Sequence, residues 1–488
     1  MEDINFKREP NPVEKMLHEM VNSKKNKSNG QTENKKHKEE KIKKKKLVRI
    51  SGFVSNGYVC EMVINKFNKY GCFALFHSTN GHSTYENQIP QGNKIYIPDT
   101  GNELVIGNVM KFPKSYEKYG SPHRLKEDLR EFLNKYVDIQ NKLDREIVIT
   151  YILLTWVYDR FSAIPYLRII GDMGTGKSRL LKVLNVCYRS LYTSGMASAA
   201  PIFRLIHKYS CTLLIDEIEL SGRTERNDDI KDILRFGKDS DGVVLRCNPN
   251  TLDVEGFKVF GPKILGSRRS TVDDALESRI ISIRMQETKS ESIPLVLDED
   301  FYKESDSIRS KLLDYRLHNY YSIDTNAYKK YVETSVSKRL NEMNSALICI
   351  RQNDEEFIEG LISRAKEKQG QIMEDKSMSL DALIISEIYR QQLDKPDPLV
   401  QNITDSLNEK LKPKNYNSRF IGGIIRENFK LSTRHTRGGN AVIYEEAKIM
   451  RLIKEYNLVE ILDIKGHEEI HQRVERWREA KRLENVTE

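Results

Sequence analysis

Residues Tyr166 to Ser178 read YLRIIGDMGTGKS, and this stretch decides the fold. Gly171, Gly176, Lys177 and Ser178 fit the spacing G-x-x-x-x-G-K-[ST], with Leu167, Ile169 and Ile170 ahead of it reading as a buried strand and Arg179 to Val186 after it as a helix. Strand, glycine-rich turn and helix in that order make a phosphate cradle. Gly171, Gly174 and Gly176, with Thr175 between them, let backbone N–H groups curl around phosphate oxygens, and the helix N-terminus adds its positive end. Lys177 is then expected on the β and γ phosphates of ATP and the Ser178 hydroxyl on Mg2+.

A second motif lies 39 residues beyond Lys177, in the run CTLLIDEIEL from Cys211 to Leu220. An apolar run ending in two carboxylates fits a central parallel strand whose C-terminal end opens onto the nucleotide. Asp216 is expected to hold Mg2+ through water, and Glu217 to orient and polarise the attacking water.

At 488 residues the chain has room for about three domains. No stretch reaches the roughly 18 uninterrupted apolar residues of a membrane span. The first twenty residues are too charged for a signal peptide, so a cytoplasmic protein without a membrane partner is expected. Six scattered cysteines without a C-x-x-C pair indicate neither zinc nor a disulfide frame. The net charge of +9 is concentrated between residues 24 and 46, where eleven Lys stand against three Glu. Such a block is expected to be disordered, serving either as a non-specific nucleic-acid contact or as a solubilising leader.

Along the chain, residues 1–46 form this basic leader, with one short helix expected near Val13 to Val21. Residues 47–120 carry the short runs VRISGFV, YVCEMVIN, CFALFHS, KIYIP and ELVIGNVMKF, which read as a small β-rich domain. Its Tyr58, Phe67, Tyr70, Phe73 and Phe76 are either stacking platforms for bases or core. Residues 121–298 hold two helical runs and then the ATPase motifs. Residues 299–377 read as a helical lid, 378–458 as a C-terminal unit, and 459–488 as a charged tail.

With both motifs in place, the chain resembles the P-loop NTPases of the AAA+ superfamily, so a multidomain α/β fold with a central AAA+ P-loop domain is expected. That resemblance assigns Ser267 and Arg268, in GPKILGSRR, to the sensor-1 position, although Asn is usual there. It assigns Arg279, ahead of IISIRM, to an arginine finger that acts on a neighbouring subunit. Arg339 falls where related helicases carry a sensor-2 arginine. GVVLRC and EGFKVF, joined by Asn248-Pro249-Asn250, read as a β-hairpin and resemble the pore hairpin of MCM and superfamily 3 helicases. Arg246, Asn248, Asn250 and Lys258 are then the DNA-contact residues of that hairpin, unless it is purely structural.

Three amphipathic runs after Ser379 place Ile384, Ile388, Ile403, Leu407, Ile421, Ile424 and Ile425 at helical spacing, and STRHTRGGNAVIYE follows as a hairpin turning at Gly438-Gly439. This resembles a winged helix, either a DNA reader or a protein-contact module. As a DNA reader it would use Arg419 and Arg426 on its third helix and Arg434, His435 and Arg437 on its wing. Taken together, the order of motifs is similar to that of AAA+ replicative helicases of mobile elements, near the staphylococcal pathogenicity-island Rep initiators and the MCM-like cassette-chromosome helicases. The resemblance implies a self-loading hexameric homo-oligomer that binds origin DNA, both duplex and single-stranded, and unwinds it with ATP and Mg2+. A helicase loader that does not unwind, and an ATP-switched DNA-binding regulator, are the alternatives.

Overall fold

The computed structural model describes residues 46–55, 57–64, 71–78, 81–194, 197–218, 225–268, 274–288, 290–413 and 415–459. The expected leader helix, Phe67, Tyr70 and nearly all of the charged tail lie outside these residues. The chain divides into two compact units. The smaller comprises residues 1–47 and 90–95, and in its described part the Lys46 N–H donates to the Asn93 carbonyl at 3.0 Å. The larger holds everything else.

Its centre is a five-stranded parallel sheet in the order Ile280–Arg284, Tyr166–Ile170, Lys263–Ser267, Leu213–Asp216, Leu191–Ser194. The runs YLRII, LLID and KILGS are buried along their whole length, because helices cover both faces and no position is left for water. Parallel pairing puts every C-terminal strand end on the same side, so the turn after Ile170, the carboxylate of Asp216 and the side chain of Ser267 share one edge. The N-terminal ends lie a strand length away, roughly 13 Å for five residues.

Residues 48–89 and 96–120 of the β-rich region belong to this unit. Its antiparallel sheet, ordered Gly52–Ser55, Tyr58–Val63, Cys72–His77, Ser83–Glu86, sends Val59, Val63, Ala74 and Phe76 into the same core as Ile147, Ile152 and Leu313. Buried charge joins them too. Glu61 accepts from Arg189 Nη2 at 2.7 Å, Arg316 Nε at 2.6 Å and the Tyr188 hydroxyl at 2.9 Å, while Arg316 also pairs with Asp159 at 2.8 Å. Glu61, Arg189 and Arg316 are buried, with Asp159 at the exposed margin, and such charges offset their desolvation only as a complete set, so the set fixes where these segments sit. Phe73 and Phe76 are buried, which leaves neither as a stacking platform; Tyr58 is exposed, with its ring 4.0 Å from that of His77.

ELVIGNVMKF is not a strand either. Asn102 accepts from the Leu104 N–H at 2.9 Å and starts a short helix, Glu103–Ile106, which Gly107 ends. The helices Glu299–Asn319, Lys338–Ile350 and Glu355–Ser377 form the expected helical region, but Phe301, Leu312, Leu313, Leu347 and Phe357 belong to the same core cluster as the parallel strands. The region is packed in rather than hinged over.

The C-terminal unit has a core of its own. Helices Leu380–Asp394, Val400–Lys410 and Ser418–Glu427 bury Ile384, Ile388, Ile403, Leu407, Ile421 and Ile425 together. The strands Thr433–Thr436 and Gly439–Val442 then pair antiparallel, and the last helix, Glu446–Glu455, packs beneath. Register places Thr436 opposite Gly439, so the turn is Arg437-Gly438, one residue earlier than expected. Gly439 has φ +116°, which only glycine adopts freely, and this shifts the bend. Leu399 forms an isolated antiparallel bridge with Ala441 beside this two-stranded hairpin.

Candidate functional site

Two glycines shape the cradle after Ile170. Gly174 and Gly176 sit at φ +83° and +85°, a region closed to most side chains, and Gly176 caps the helix Lys177–Val183. Gly171 is needed for a different reason: a Cβ there would come within 2.6 Å of Thr175 Oγ1 and 2.7 Å of the Met285 carbonyl. Thr175 closes the loop by donating its hydroxyl to the Asp172 carbonyl at 2.8 Å, and Lys177 Nζ donates to the same carbonyl at 2.5 Å.

Around this loop lies an open cavity of about 460 Å³, lined by Met173, Gly174, Gly176, Lys177, Ser178, Arg179, Glu217, Ser267 and Arg268. The structure therefore brings together residues that are up to 95 positions apart in sequence, from Met173 to Arg268. Glu217 is exposed into it with φ +53°, a left-handed backbone unusual for a glutamate, and its N–H donates to Asp216 Oδ1 at 3.0 Å. Such strain persists only where the surroundings enforce it, and here it turns the Glu217 carboxylate away from the strand and toward the cavity. Asp216 is buried just behind. Its second oxygen, Oδ2, accepts from the Tyr192 hydroxyl at 2.7 Å. Burial, with that hydrogen bond adding to it, pushes the Tyr192 phenol well above its usual range, so Tyr192 remains a donor.

Ser267 is only 5 % exposed, yet its hydroxyl has no partner among the described residues. A buried hydroxyl that lines this cavity with no protein partner is a candidate to meet a ligand oxygen. The oxygen set also suits Mg2+ carried by a nucleotide: one hydroxyl (Ser178) and one carboxylate (Asp216), with the remaining positions left to phosphates and water. No cluster of three or more His, Cys, Asp or Glu able to hold a metal alone occurs among the described residues. Arg179 was not singled out in the sequence. It donates to the carbonyls of Pro294 and Leu295 at 2.5 and 2.9 Å and pins that loop to the cavity rim.

Arg279 and Arg339 are not in this cavity. They line a second, small cavity of about 50 Å³ with Lys238, Ser278, Glu342 and Ala163 to Pro165. The backbone explains the place of Arg279, whose carbonyl accepts from the Tyr166 N–H at 3.0 Å at the N-terminal end of the sheet. Buried Arg168, on the P-loop strand, grips Glu277 through both guanidinium nitrogens, one at 2.9 Å, and so fixes the turn that presents Arg279. The resemblance to related helicases assigned Arg339 to the nucleotide as a sensor-2 arginine, with a solvated helix residue as the alternative. Arg339 lies instead beside Arg279, because the helix Lys338–Ile350 packs against Lys142–Thr155 on that side of the core.

The hairpin exists, with Val243–Cys247 pairing antiparallel to Val254–Lys258, but its chemistry differs from expectation. Arg246 pairs with Asp229 at 2.7 Å and lies over the Phe203 ring, so it ties the turn-proximal part of the hairpin to the helices Glu225–Phe236 and Ala199–Tyr209. Asn248 shapes the turn: its Oδ1 accepts from the Asn250 N–H at 2.9 Å and its Nδ2 donates to Glu255 at 2.8 Å. Lys258 is exposed, and its N–H donates to His207 Nδ1 at 3.0 Å. The outward face is apolar instead, with Leu245, Val254 and, at the tip, Leu252, which is 80 % exposed.

In the C-terminal unit Arg419, Arg426 and Arg437 are exposed, the first two seven residues apart on one helix face. His435 lies on the wing facing Asn440 Oδ1 at 3.3 Å, and Arg434 is tied to Asp397 at 2.6 Å.

No family model and no curated protein matches the chain. Among solved structures it is similar to the apo A form of the NrS-1 C-terminal region, at 12% identity over 79% of this chain and 96% of that one, with a TM-score of 0.36. It is similar as well to inhibitor-bound JCV helicase, at 16% identity over 47% of this chain and 66% of that one, with a TM-score of 0.27. A second JCV helicase structure is matched over 62% of its length, at 14% identity and a TM-score of 0.26. This chain thus spans just under two thirds of the JCV helicase structures. Likenesses of this size leave the reading of the site to its own geometry.

Proposed function

We propose that the chain is an ATP-dependent DNA helicase and replication initiator of AAA+ type, acting as a ring of identical subunits, most simply a hexamer. The observation that carries this is the separation of Lys177, Ser178, Glu217 and Ser267 at one end of the sheet from Arg279 and Arg339 at the other. A chain built this way supplies a cradle for one triphosphate and cations for another, which calls for a second copy at the seam.

In this reading the glycine-loop N–H groups and Lys177 hold the β and γ phosphates of ATP. Ser178 and Asp216 hold Mg2+, which when bound would neutralise charge developing on the phosphate oxygens. Glu217 orients the attacking water, and the unpartnered Ser267 hydroxyl meets the γ-phosphate or that water. Arg279, with Arg339 beside it, stabilises transition-state charge on the neighbour's phosphate. The β-hairpin contacts single-stranded DNA through Lys258, Asn250 and the apolar tip. The C-terminal unit acts as a winged helix and reads duplex origin DNA through Arg419, Arg426 and Arg437.

The test is ATP turnover by the full chain with and without single-stranded DNA, paired with strand displacement on a forked duplex. Stimulated turnover and displaced strand are expected from the wild type. Glu217→Gln should still bind a fluorescent ATP analogue while losing about 10²- to 10⁴-fold in turnover. Turnover without displacement would favour the loader reading, and turnover indifferent to single-stranded DNA the regulator.

A further inference from the structure

The proposed nucleotide site uses Asp216 but leaves open what holds its carboxylate in place. Three features converge on it. Tyr192 donates its hydroxyl to Oδ2 at 2.7 Å, and the Glu217 N–H donates to Oδ1 at 3.0 Å. Gly266, on the adjacent strand, clears the third side: a Cβ there would lie 2.9 Å from Asp216 Oδ1 and 2.7 Å from Leu181 Cδ1.

Tyr192 is placed for this by strand register. It pairs with Leu214, two residues before Asp216, so both side chains stand on one face of the sheet and the phenol reaches forward along it. The hydroxyl is far from any role in packing, since the ring alone fills the half-buried position among the core residues. A carboxylate offers about four lone-pair directions, and two donors leave the remainder aimed in a fixed direction. Left with one donor, the group is free to rotate about its Cβ–Cγ bond.

We propose that Tyr192 is a positioning residue that orients Asp216 for a divalent cation brought in with the nucleotide. The assignment rests on the nucleotide-site reading above. Outer-shell donors to metal-holding carboxylates typically set metal affinity by 10- to 100-fold, so loss of this hydroxyl should appear in metal dependence rather than in stability.

The experiment titrates MgCl2 into full-length protein with a fluorescent, slowly hydrolysed ATP analogue, comparing wild type, Tyr192→Phe and Tyr192→Leu, and records thermal unfolding of each without nucleotide. Tyr192→Phe is expected to raise the half-saturating Mg2+ concentration by about 10-fold or more. Its metal-free nucleotide affinity and unfolding midpoint should match wild type. Tyr192→Leu, which lacks the hydroxyl in a different shape, should show the same Mg2+ shift. An unchanged half-point, an equal loss with and without Mg2+, or a lowered midpoint in Tyr192→Phe would overturn the assignment. A wild type whose nucleotide binding ignores Mg2+ would strike the site itself, and the assignment with it.

Discussion

At the C-terminal end of the parallel sheet the chain presents glycines, a hydroxyl without a partner among the described residues and an open cavity of about 460 Å³; at the N-terminal end it presents arginines, one of them on a turn braced by the Arg168–Glu277 pair. The first end is shaped by backbone. Positive-φ glycines and the left-handed Glu217 leave room and donors for a phosphate chain. The second end is shaped by side chains, because Arg168 with Glu277 holds the turn that carries Arg279. A receptor for phosphate must be hollow, whereas a group that reaches into another molecule's site must be stiff. The contrast is what a site completed by a second copy requires.

The strongest way to break that contrast is mixing. Lys177→Ala and Arg279→Ala should each lower turnover by about 10³-fold or more when assayed alone. Combined in one sample, they should regain activity, because seams pairing an intact cradle with an intact arginine then form. Turnover that stays at the level of the separate variants would assign Arg279 to its own chain.

A smaller effect tests the buried ion pairs. Arg316→Met leaves Glu61 and Asp159 without their shared partner inside the fold, and should cost about 3–5 kcal/mol in denaturant unfolding. A loss under about 1 kcal/mol would show that this set is not what holds the strand Tyr58–Val63 to the core.

The smallest effect lies outside the sheet and serves as its control. Burial would raise the carboxyl of Glu387, but hydrogen bonds from Arg390, Lys410 and Gln391 outweigh it and bring the group from 4.5 to about 2. A carboxylate depressed on folding stabilises above its unfolded pKa, and that contribution is lost as pH falls from about 4.5 toward 2. Acid unfolding of the C-terminal unit, followed by the Tyr444 and Tyr456 signals, should flatten in this window in Glu387→Gln. An identical acid profile would remove Glu387 from the account.

Much of the cradle was legible in the chain because its chemistry is local: G-x-x-x-x-G-K-S constrains one turn, and IDE marks the end of one strand. The β-hairpin and the helix–helix–helix–hairpin order at the C-terminus were legible for the same reason, since turn residues and periodicity act over a few residues. Side-chain partnerships were not. Nothing near Arg246 announces Asp229, 17 positions away, and VVLRC with its unbroken apolar start hides which face meets solvent. Tyr192, Gly266 and Arg168 escaped notice because each acts on a residue more than 20 positions away, brought close only by strand order.

By itself, then, the sequence determined that a glycine-rich loop sits between a buried strand and a helix, that an acidic pair follows, and that the basic charge is gathered at one end of the chain. Only the tertiary structure decided that residues 48–89 share a unit with the parallel sheet, that Arg339 stands with Arg279 and not with Lys177, and that Asp216 is held from the neighbouring strand. The physical reason is range. Backbone dihedrals and periodicity are fixed by neighbours in the chain, whereas burial, ion pairing and the direction of a side chain are fixed by whatever the fold places a few ångströms away.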